Sequence, residues 1–273
     1  MKRVLKKQNE NVNPRNEFYR IPLKINNFNE VKTKVILLAI LGLGFIFTSC
    51  QKDEFDVVPS TKVTTTDFSA SGISQLDVSD VFNVYVSFSE TEESVQVEAS
   101  ANIHSLIEMS QVGNKLIVGL HKNTTFTGVA PVLNVYIKTA TLSKVKAQGA
   151  SSIVFENPLE TSQFDLDITG AAKVSGRIEV VDLVAKLIGA ANLDISGHSD
   201  SFEIDAEGAS EMTGFDFDTN TLKTNLKGGS NISLVVNQKL EVSATGASNV
   251  RYKGNGIIDK QYLSDASAIV KMD

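Results

Sequence analysis

Residues 202–212 read FEIDAEGASEM, and this pattern returns about every 20 residues from residue 141 onward. Each copy alternates apolar and polar residues, turns at a corner of small residues, and has another aliphatic residue four positions later. The first residues of the corners are Gly149, Gly170, Gly189, Gly208, Gly228, Gly246 and Asp265. A period near 20 with this alternation predicts a solenoid, because single units of this size must stack to bury a core.

The residues on either side of the corner predict short strands with one buried face. Before Gly208, the apolar positions are Phe202, Ile204 and Ala206, and strict alternation of this kind is typical of a half-buried strand. Glycine suits the corner because a left-handed backbone costs it little and because it lets a neighbouring backbone approach closely. Asp also adopts that conformation, so Asp265 is compatible with a corner.

The outward positions predict the same register independently. Five residues before the corners lie Lys144, Asp165, Val184, Glu203, Lys223, Glu241 and Lys260, and three residues before them lie Lys146, Asp167, Lys186, Asp205 and Asn225. If the coils stack as parallel strands about 4.8 Å apart, opposite charges become vertical neighbours. Each such pair adds roughly 0.2–1 kcal/mol. Asn192, Asn231 and Asn249, three residues after their corners, predict part of an amide ladder.

Charge divides the 273-residue chain into two parts. Residues 1–49 hold nine Lys/Arg and three Glu, a net charge of +6, whereas the rest holds 17 basic and 29 acidic residues, a net charge of −12. The acidic part argues against nucleic acid or an anionic membrane face as a partner. With 42% hydrophobic residues, the chain is long enough for one domain with a sizeable core.

An apolar run, VILLAILGLGFIF, occupies residues 35–47. Thirteen residues are too few to span a bilayer, which takes about 20, but they fit the core of a secretory signal peptide. A buried core helix is the alternative. The lead before this run is long, so translation that begins near Val31 instead of Met1 is a further hypothesis.

The single cysteine, Cys50, has no partner for an internal disulfide. Residues 47–50, Phe-Thr-Ser-Cys, resemble the lipobox of bacterial lipoproteins, although Leu is usual where Phe47 stands. The residues that follow, Gln51, Lys52, Asp53 and Glu54, resemble the export signal that carries some lipoproteins to the outer face of the outer membrane. These resemblances imply a lipid anchor at Cys50 and a surface-exposed outer-membrane protein, with the periplasmic face as the alternative.

The chain is therefore divided into a basic leader and signal peptide (1–49), a lipidated tether (50–64) and one β domain (65–273). Within the domain, residues 65–140 hold strand-like segments without the glycine corner, and residues 141–273 hold the coils. Gly113-Asn114 predicts a hairpin turn between residues 107–112 and 115–120. We expect the N-terminal strands to continue or cap the stack, because a bare solenoid end exposes strand edges.

Several of these segments resemble the head GIN domain family, whose members are called putative auto-transporter adhesins. The resemblance rests on Phe82-Asn83-Val84-Tyr85-Val86, the charged turn at 90–93, Asn114-Lys115-Leu116-Ile117-Val118 and the repeated corners, and it covers roughly residues 65–255. It implies a right-handed parallel β-helix, secretion, and an adhesive or envelope role. It supplies no catalytic residues and no cofactor.

The sequence offers few candidates for catalysis or metal binding. His104, His121 and His198 lie far apart, and the serines at the corners fit a hydrogen-bonded ladder better than a row of nucleophiles. Acidic residues are the more serious candidates, because β-helices also carry polysaccharide lyases, glycoside hydrolases and Ca²⁺ sites. These residues are Asp165, Asp167, Asp194, Glu203, Asp205, Glu207, Asp216 and Asp218.

Two functions follow, a non-catalytic surface module that binds glycan or protein and, as the alternative, a carbohydrate-active enzyme. An acidic cleft with two carboxylates about 5–10 Å apart and without lysine neighbours would favour the enzyme. A uniform charge ladder favours the surface module, and turns of 18–21 residues leave little room for a loop that shapes a cleft.

Overall fold

The computed structural model describes residues 55–273. The predicted leader, the apolar run, Cys50 and the export signal at 51–54 lie outside these residues. The strands are β1 (Phe55–Val57), β2 (Val63–Phe68), β3 (Gln75–Val78), β4 (Asn83–Phe88), β5 (Ser94–Ser100), β6 (Ile107–Val112), β7 (Lys115–Leu120), β8 (Thr124–Phe126), β9 (Leu133–Thr139), β10 (Lys144–Ala147), β11 (Ser152–Phe155), β12 (Leu159–Gly170), β13 (Lys173–Gly189), β14 (Asn192–Gly208), β15 (Glu211–Met212), β16 (Phe217–Gly228), β17 (Asn231–Ala244), β18 (Asn249–Lys253), β19 (Ile257–Leu263) and β20 (Ala268–Lys271). A short 3₁₀ helix spans His104–Leu106.

These strands form a β-solenoid of about seven turns of roughly 19 residues, so the predicted all-β solenoid is confirmed. Before the corners, parallel pairing runs from β7 through β3, β10, β12, β13, β14, β16 and β17 to β19. We call this the first ladder. After the corners, the second ladder runs from β9 through β4, β11, β13, β14, β15, β17 and β18 to β20.

The core is one continuous column between the ladders, and it contains the alternating residues that the sequence assigned to it. Phe164, Phe202 and Phe217 are fully buried. The rings of Phe202 and Phe217 meet edge to face with centroids 5.6 Å apart, and Phe164 meets Phe155 edge to face at 5.9 Å. Aromatic burial of this kind dominates core energetics, and the edge-to-face pairs add about 0.5–1.5 kcal/mol each.

The corner glycines lie one above another along one edge of the stack. Their φ angles range from +73° to +97°, and a Cβ on any of them would lie 2.5–2.9 Å from the carbonyl oxygen of the corner one layer before. The next N–H in each coil donates to that same oxygen at 2.6–2.8 Å. Glycine is therefore required twice, for its backbone conformation and for the close approach.

Aspartate occupies both ends of this column. Asp265 holds a φ of +60° in the last coil, and Asp80, with a φ of +67°, occupies the equivalent position before Gly149. The N–H of Ala150 donates to the carbonyl of Asp80 at 2.7 Å, which places Asp80 in the same ladder of hydrogen bonds. The end corners thus tolerate a side chain that the interior corners exclude.

The N-terminal strands both continue the stack and cap it, and they do so out of chain order. The layer of β3 and β4 lies between the layer of β7 and β9 and that of β10 and β11. Beyond it, β6 pairs antiparallel with β7 through the turn at Gly113, as predicted, and β5 and β2 add antiparallel to β9. The cap therefore consists of antiparallel strands added to the end of the parallel ladders.

The predicted charge ladder is present on the outer face of the first ladder. Lys223 Nζ lies 2.6 Å from Glu203, Lys260 Nζ lies 3.2 Å from Glu241, and Lys144 Nζ lies 3.9 Å from Asp165. The amide ladder is only partial. Asn249 donates to Asn231 at 3.0 Å, but Glu211 stands between Asn231 and Asn192 in the register.

Candidate functional site

The candidate site is a patch on the outer face of β5, β9 and β4, near the N-terminal end of the stack. We call it the Tyr–Asn face, and it consists of Asn83, Tyr85, Gln96, Glu98, Asn134 and Tyr136. Alternation puts these side chains outward, because their neighbours Val84, Val97 and Val135 are buried in the core. In-register pairing then sets Tyr85 beside Tyr136 and Asn83 beside Asn134.

The two tyrosine rings are stacked, with centroids 5.2 Å apart and planes inclined by 16°. Tyr136 keeps 37% of its surface exposed. Its hydroxyl donates to Glu98 Oε2 at 3.0 Å, and that same oxygen accepts from Asn134 Nδ2 at 2.9 Å. Asn83 Nδ2 donates to Asn134 Oδ1 at 3.2 Å. The face is therefore an ordered network of rings, amides and one carboxylate.

The Tyr136 hydroxyl remains a hydrogen-bond donor across the physiological range. Burial raises the pKa of Tyr136 above its ordinary value, and the hydrogen bond to the Glu98 carboxylate raises the pKa further. Both effects disfavour the phenolate. The Tyr136 hydroxyl thus stays protonated and continues to donate to Glu98 at neutral pH.

The sequence prediction did not include this face, although a signal was present. Asn-Val-Tyr occurs at residues 83–85 and again at 134–136, and the structure stacks the two copies. The copies are 51 residues apart, a spacing that a search for a 20-residue period misses. A second repeat of this kind is Ser-Asp, which occurs at residues 79–80 and again at residues 264–265, the two ends of the corner column.

Most of the acidic residues considered for an enzyme lie beside lysines, whereas Asp218 lies beside His198. A concavity of about 610 Å³ on the outer face contains Asp77, Asp165 and Asp167, but Lys115, Lys144 and Lys146 line it too. Elsewhere Lys173 Nζ lies 2.9 Å from Asp194. The arrangement is a solvated charge ladder, and it differs from a cleft with two unpaired carboxylates.

A second concavity, of about 660 Å³, lies beside the β6–β7 hairpin and contains Ser79, Glu108 and His121. His121 Nδ1 lies 2.8 Å from Glu108, which resembles a base held by an acid. The hydroxyl of Ser79, however, donates to Asp80 Oδ2 at 2.8 Å. A nucleophile must be joined to its base, so these three side chains do not form a triad.

The histidines occupy three separate environments. His104 contacts the hydroxyl of Thr64 at 3.0 Å, and His198 Nδ1 lies 2.6 Å from Asp218 Oδ1. Burial alone would lower the pKa of His198, but hydrogen bonds and charge from Asp218 and Asp200 outweigh it and raise that pKa. Within residues 55–273, no group of three or more metal-ligating side chains is placed to hold an ion.

Most of the corner serines bond to backbone, as the sequence suggested, whereas the buried hydroxyl of Ser151 has no hydrogen-bond partner among the described residues. The hydroxyls of Ser210, Ser230 and Ser248 donate to the carbonyl three residues earlier at 3.0–3.2 Å, and all three side chains are buried. They close the corner and are not available to a substrate.

No helix in the described part of the chain is long and apolar enough to cross a membrane.

Comparison with known families identifies the chain. Residues 73–256 match the family model described as "Putative auto-transporter adhesin, head GIN domain". The chain belongs to this family. The match includes the whole Tyr–Asn face and six corner glycines, and it ends before the coil that contains Asp265. No curated protein matches the chain.

Solved structures share the head GIN fold at low sequence identity. A putative adhesin from Bacteroides fragilis NCTC 9343 is 19% identical, with a TM-score of 0.73, over 79% of this chain and 100% of the other. A putative lipid binding protein from Parabacteroides distasonis ATCC 8503 is 16% identical, with a TM-score of 0.65, over 80% and 100%. A putative adhesin from Parabacteroides merdae ATCC 43184 is 16% identical, with a TM-score of 0.61, over 80% and 99%.

Proposed function

We propose that this head GIN protein is a non-catalytic adhesin of the cell envelope that binds glycan or protein through the Tyr–Asn face. The observation that carries the proposal is the stacked pair Tyr85 and Tyr136 within the hydrogen-bonded network of Glu98 and Asn134. Tyrosines supply a large, rigid and amphipathic contact area at a low cost in conformational entropy. The amides and the carboxylate add donors and acceptors that suit hydroxyl and peptide groups.

Binding by one such face is expected to be weak and to gain strength from many copies. The face is open, and flat contacts bury little area for each molecule. Proteins held on one surface act together, because the first contact raises the effective concentration for the next. A density-dependent adhesive role fits this geometry better than tight capture of a free small molecule.

The proposed position of the protein is the outer face of the outer membrane, anchored by a lipid on Cys50. This proposal rests on the lipobox-like residues 47–50 and the export-like residues 51–54. Acyl chains contribute roughly 0.8 kcal/mol for each buried methylene, so more than one chain makes a stable anchor. A Cys50→Ala protein should lose metabolic labelling by fatty acid and leave the membrane fraction, and retention of the label would contradict the anchor.

A binding array tests the adhesive function. The described part of the chain, residues 55–273, is printed against glycans and matrix proteins, together with Tyr136→Ala and the matched control Val184→Ala. Val184 is similarly exposed but lies on the charged side of the solenoid. We expect Tyr136→Ala to weaken the strongest signals about tenfold or more and Val184→Ala to leave them unchanged.

The enzymatic alternative has a separate readout. Turnover of acidic and neutral polysaccharides by the wild-type protein, measured as new reducing ends or unsaturated products, would contradict a non-catalytic role.

The Tyr136→Phe variant, tested on the same binding array, separates the ring from the hydroxyl, because it keeps the ring and removes only the hydroxyl that donates to Glu98. Equal binding by this variant would assign the contact to the ring.

A further inference from the structure

The two ends of the solenoid expose complementary strand edges. Within residues 55–273, the first ladder ends at β19 on the C-terminal side, and β6 extends it antiparallel on the N-terminal side. The second ladder ends at β20 on the C-terminal side, and β5 and then β2 extend it antiparallel on the N-terminal side. Each end therefore presents two edges, one for each ladder, and such edges are templates for pairing with another chain.

We infer that copies of this protein associate head to tail, with the C-terminal coil of one copy on the N-terminal cap of the next. In this arrangement β19 pairs with β6 of the second copy while β20 pairs with β2 of the second copy. The ladder directions allow both contacts at once, antiparallel for β19 with β6 and parallel for β20 with β2.

The C-terminal end has the apolar surface that such a contact would bury. All seven residues of β19 are exposed, including Ile257 at 73% and Tyr262 at 63%. The exposed apolar residues at this end are Ile257, Ile258, Tyr262, Leu263, Val270 and Met272. Exposed apolar clusters of this kind mark interaction sites.

The N-terminal end offers a matching cleft between its two edges. Thr66 and Phe68 of β2 face Ile107 and Met109 of β6 across a cavity of about 210 Å³. Phe68, Ile107 and Met109 are half-buried and pack on the end of the core. Exposed apolar side chains of β19 and β20 that pack into this cavity would bury these three half-buried residues more completely.

Charge favours this pairing of unlike ends. Residues 55–112 hold nine Asp/Glu and one Lys, a net charge of −8, whereas residues 249–273 hold four Lys/Arg and three Asp, a net charge of +1. Two N-terminal ends would repel each other, and unlike ends attract. The charges on β19 are already compensated, since Asp259 lies 3.0 Å from Lys239 and Lys260 lies 3.2 Å from Glu241.

Sedimentation velocity over a concentration series tests the inference with residues 55–273, which bury their own core. We expect the average mass to rise with concentration and to fall when salt is added, because the attraction is partly electrostatic. Wild-type protein that stays monomeric at the highest concentration reached would overturn the inference.

Two blocked variants decide the geometry. The tail-blocked protein carries Ile257→Glu and Tyr262→Glu, and the head-blocked protein carries Thr65→Arg and Val112→Arg, all at exposed positions. Each alone should weaken association at least about tenfold, with unfolding midpoints near the wild-type value, whereas their mixture should form a 1:1 dimer. A head-blocked protein that still dimerises would overturn the head-to-tail arrangement in favour of a tail-to-tail dimer.

Discussion

At the N-terminal end of the stack, antiparallel strands β2, β5 and β6 cover the first layers, whereas at the C-terminal end β19 and β20 carry no further strand in the described chain. The same alternating pattern builds both ends. They differ because a reversal of strand direction lets the chain fold back over its own core, and the parallel coils lack such a reversal. The N-terminal end is thus covered by strands of the chain itself, whereas β19 and β20 leave an exposed strand edge within residues 55–273.

The largest expected effect comes from truncating the core under each end. Leu116 in β7 is fully buried beneath β6, whereas Ile269 in β20 is only half-buried. Leu116→Ala should cost about 2–5 kcal/mol in the free energy of unfolding, and Ile269→Ala about 1 kcal/mol. Urea unfolding of both variants measures the difference, and equal costs would contradict the contrast between the ends.

The interior corners should reject the residue that the end corners accept. Gly189→Asp introduces a side chain at a φ of +97°, with its Cβ about 2.9 Å from the carbonyl oxygen of Gly170. We expect a cost of about 2–4 kcal/mol. The neighbouring exposed Ala190→Ser serves as the control and should stay within about 0.5 kcal/mol. If Gly189→Asp left the free energy of unfolding unchanged, the backbone of the corner column would have to move to accommodate the side chain.

The two end aspartates should differ in their contribution. Asp80 Oδ2 accepts from the N–H of Leu120 at 2.8 Å in the adjoining layer, whereas Asp265 Oδ2 meets the N–H of Gly246 only at 3.3 Å. Asp80→Ala should cost about 1–3 kcal/mol, because it leaves that N–H without its acceptor. Asp265→Ala should cost less than about 1 kcal/mol. Thermal unfolding of the pair compares them, and the reverse order would contradict the role of Asp80 in joining layers.

The smallest expected effect is a pH dependence at His198 in β14. The folded-state pKa of His198 lies above its unfolded value, so its stabilising effect is full below about pH 6.5 and is lost as pH rises through the folded pKa. His198 and Asp218 are each more than a third exposed, so screening limits the effect to about 0.5 kcal/mol. Unfolding curves of the wild type and His198→Gln should diverge at low pH and converge at high pH.

The sequence was sufficient for the coils because every coil repeats the same constraint. A positive φ and a close carbonyl in the preceding layer strongly favour glycine at the corner, so glycine marks each interior corner and the 20-residue period is visible. The charges at Lys223 and Glu203 fixed the register a second time. A strict local requirement repeated along the chain can be read without coordinates.

The N-terminal arrangement was less accessible, because it depends on contacts between distant segments. Nothing local in β3 or β4 indicates that their layer is inserted between β7 and β10, and the partner residues of β4 and β11 are 69 residues apart. The Tyr–Asn face follows from that insertion, since it brings Tyr85 and Tyr136 together. Strand patterns predict that such segments are strands but leave their order open.

The uniformity of the interior corners makes the length of the molecule adjustable. Each coil meets its neighbours through the same glycine, the same carbonyl and the same buried aliphatic residue, so the gain or loss of one coil leaves every remaining contact of the same kind. Duplication of a 19-residue segment would move the two aspartate-ended layers apart by about 4.8 Å. A lineage could therefore change the length of the solenoid in steps of one coil.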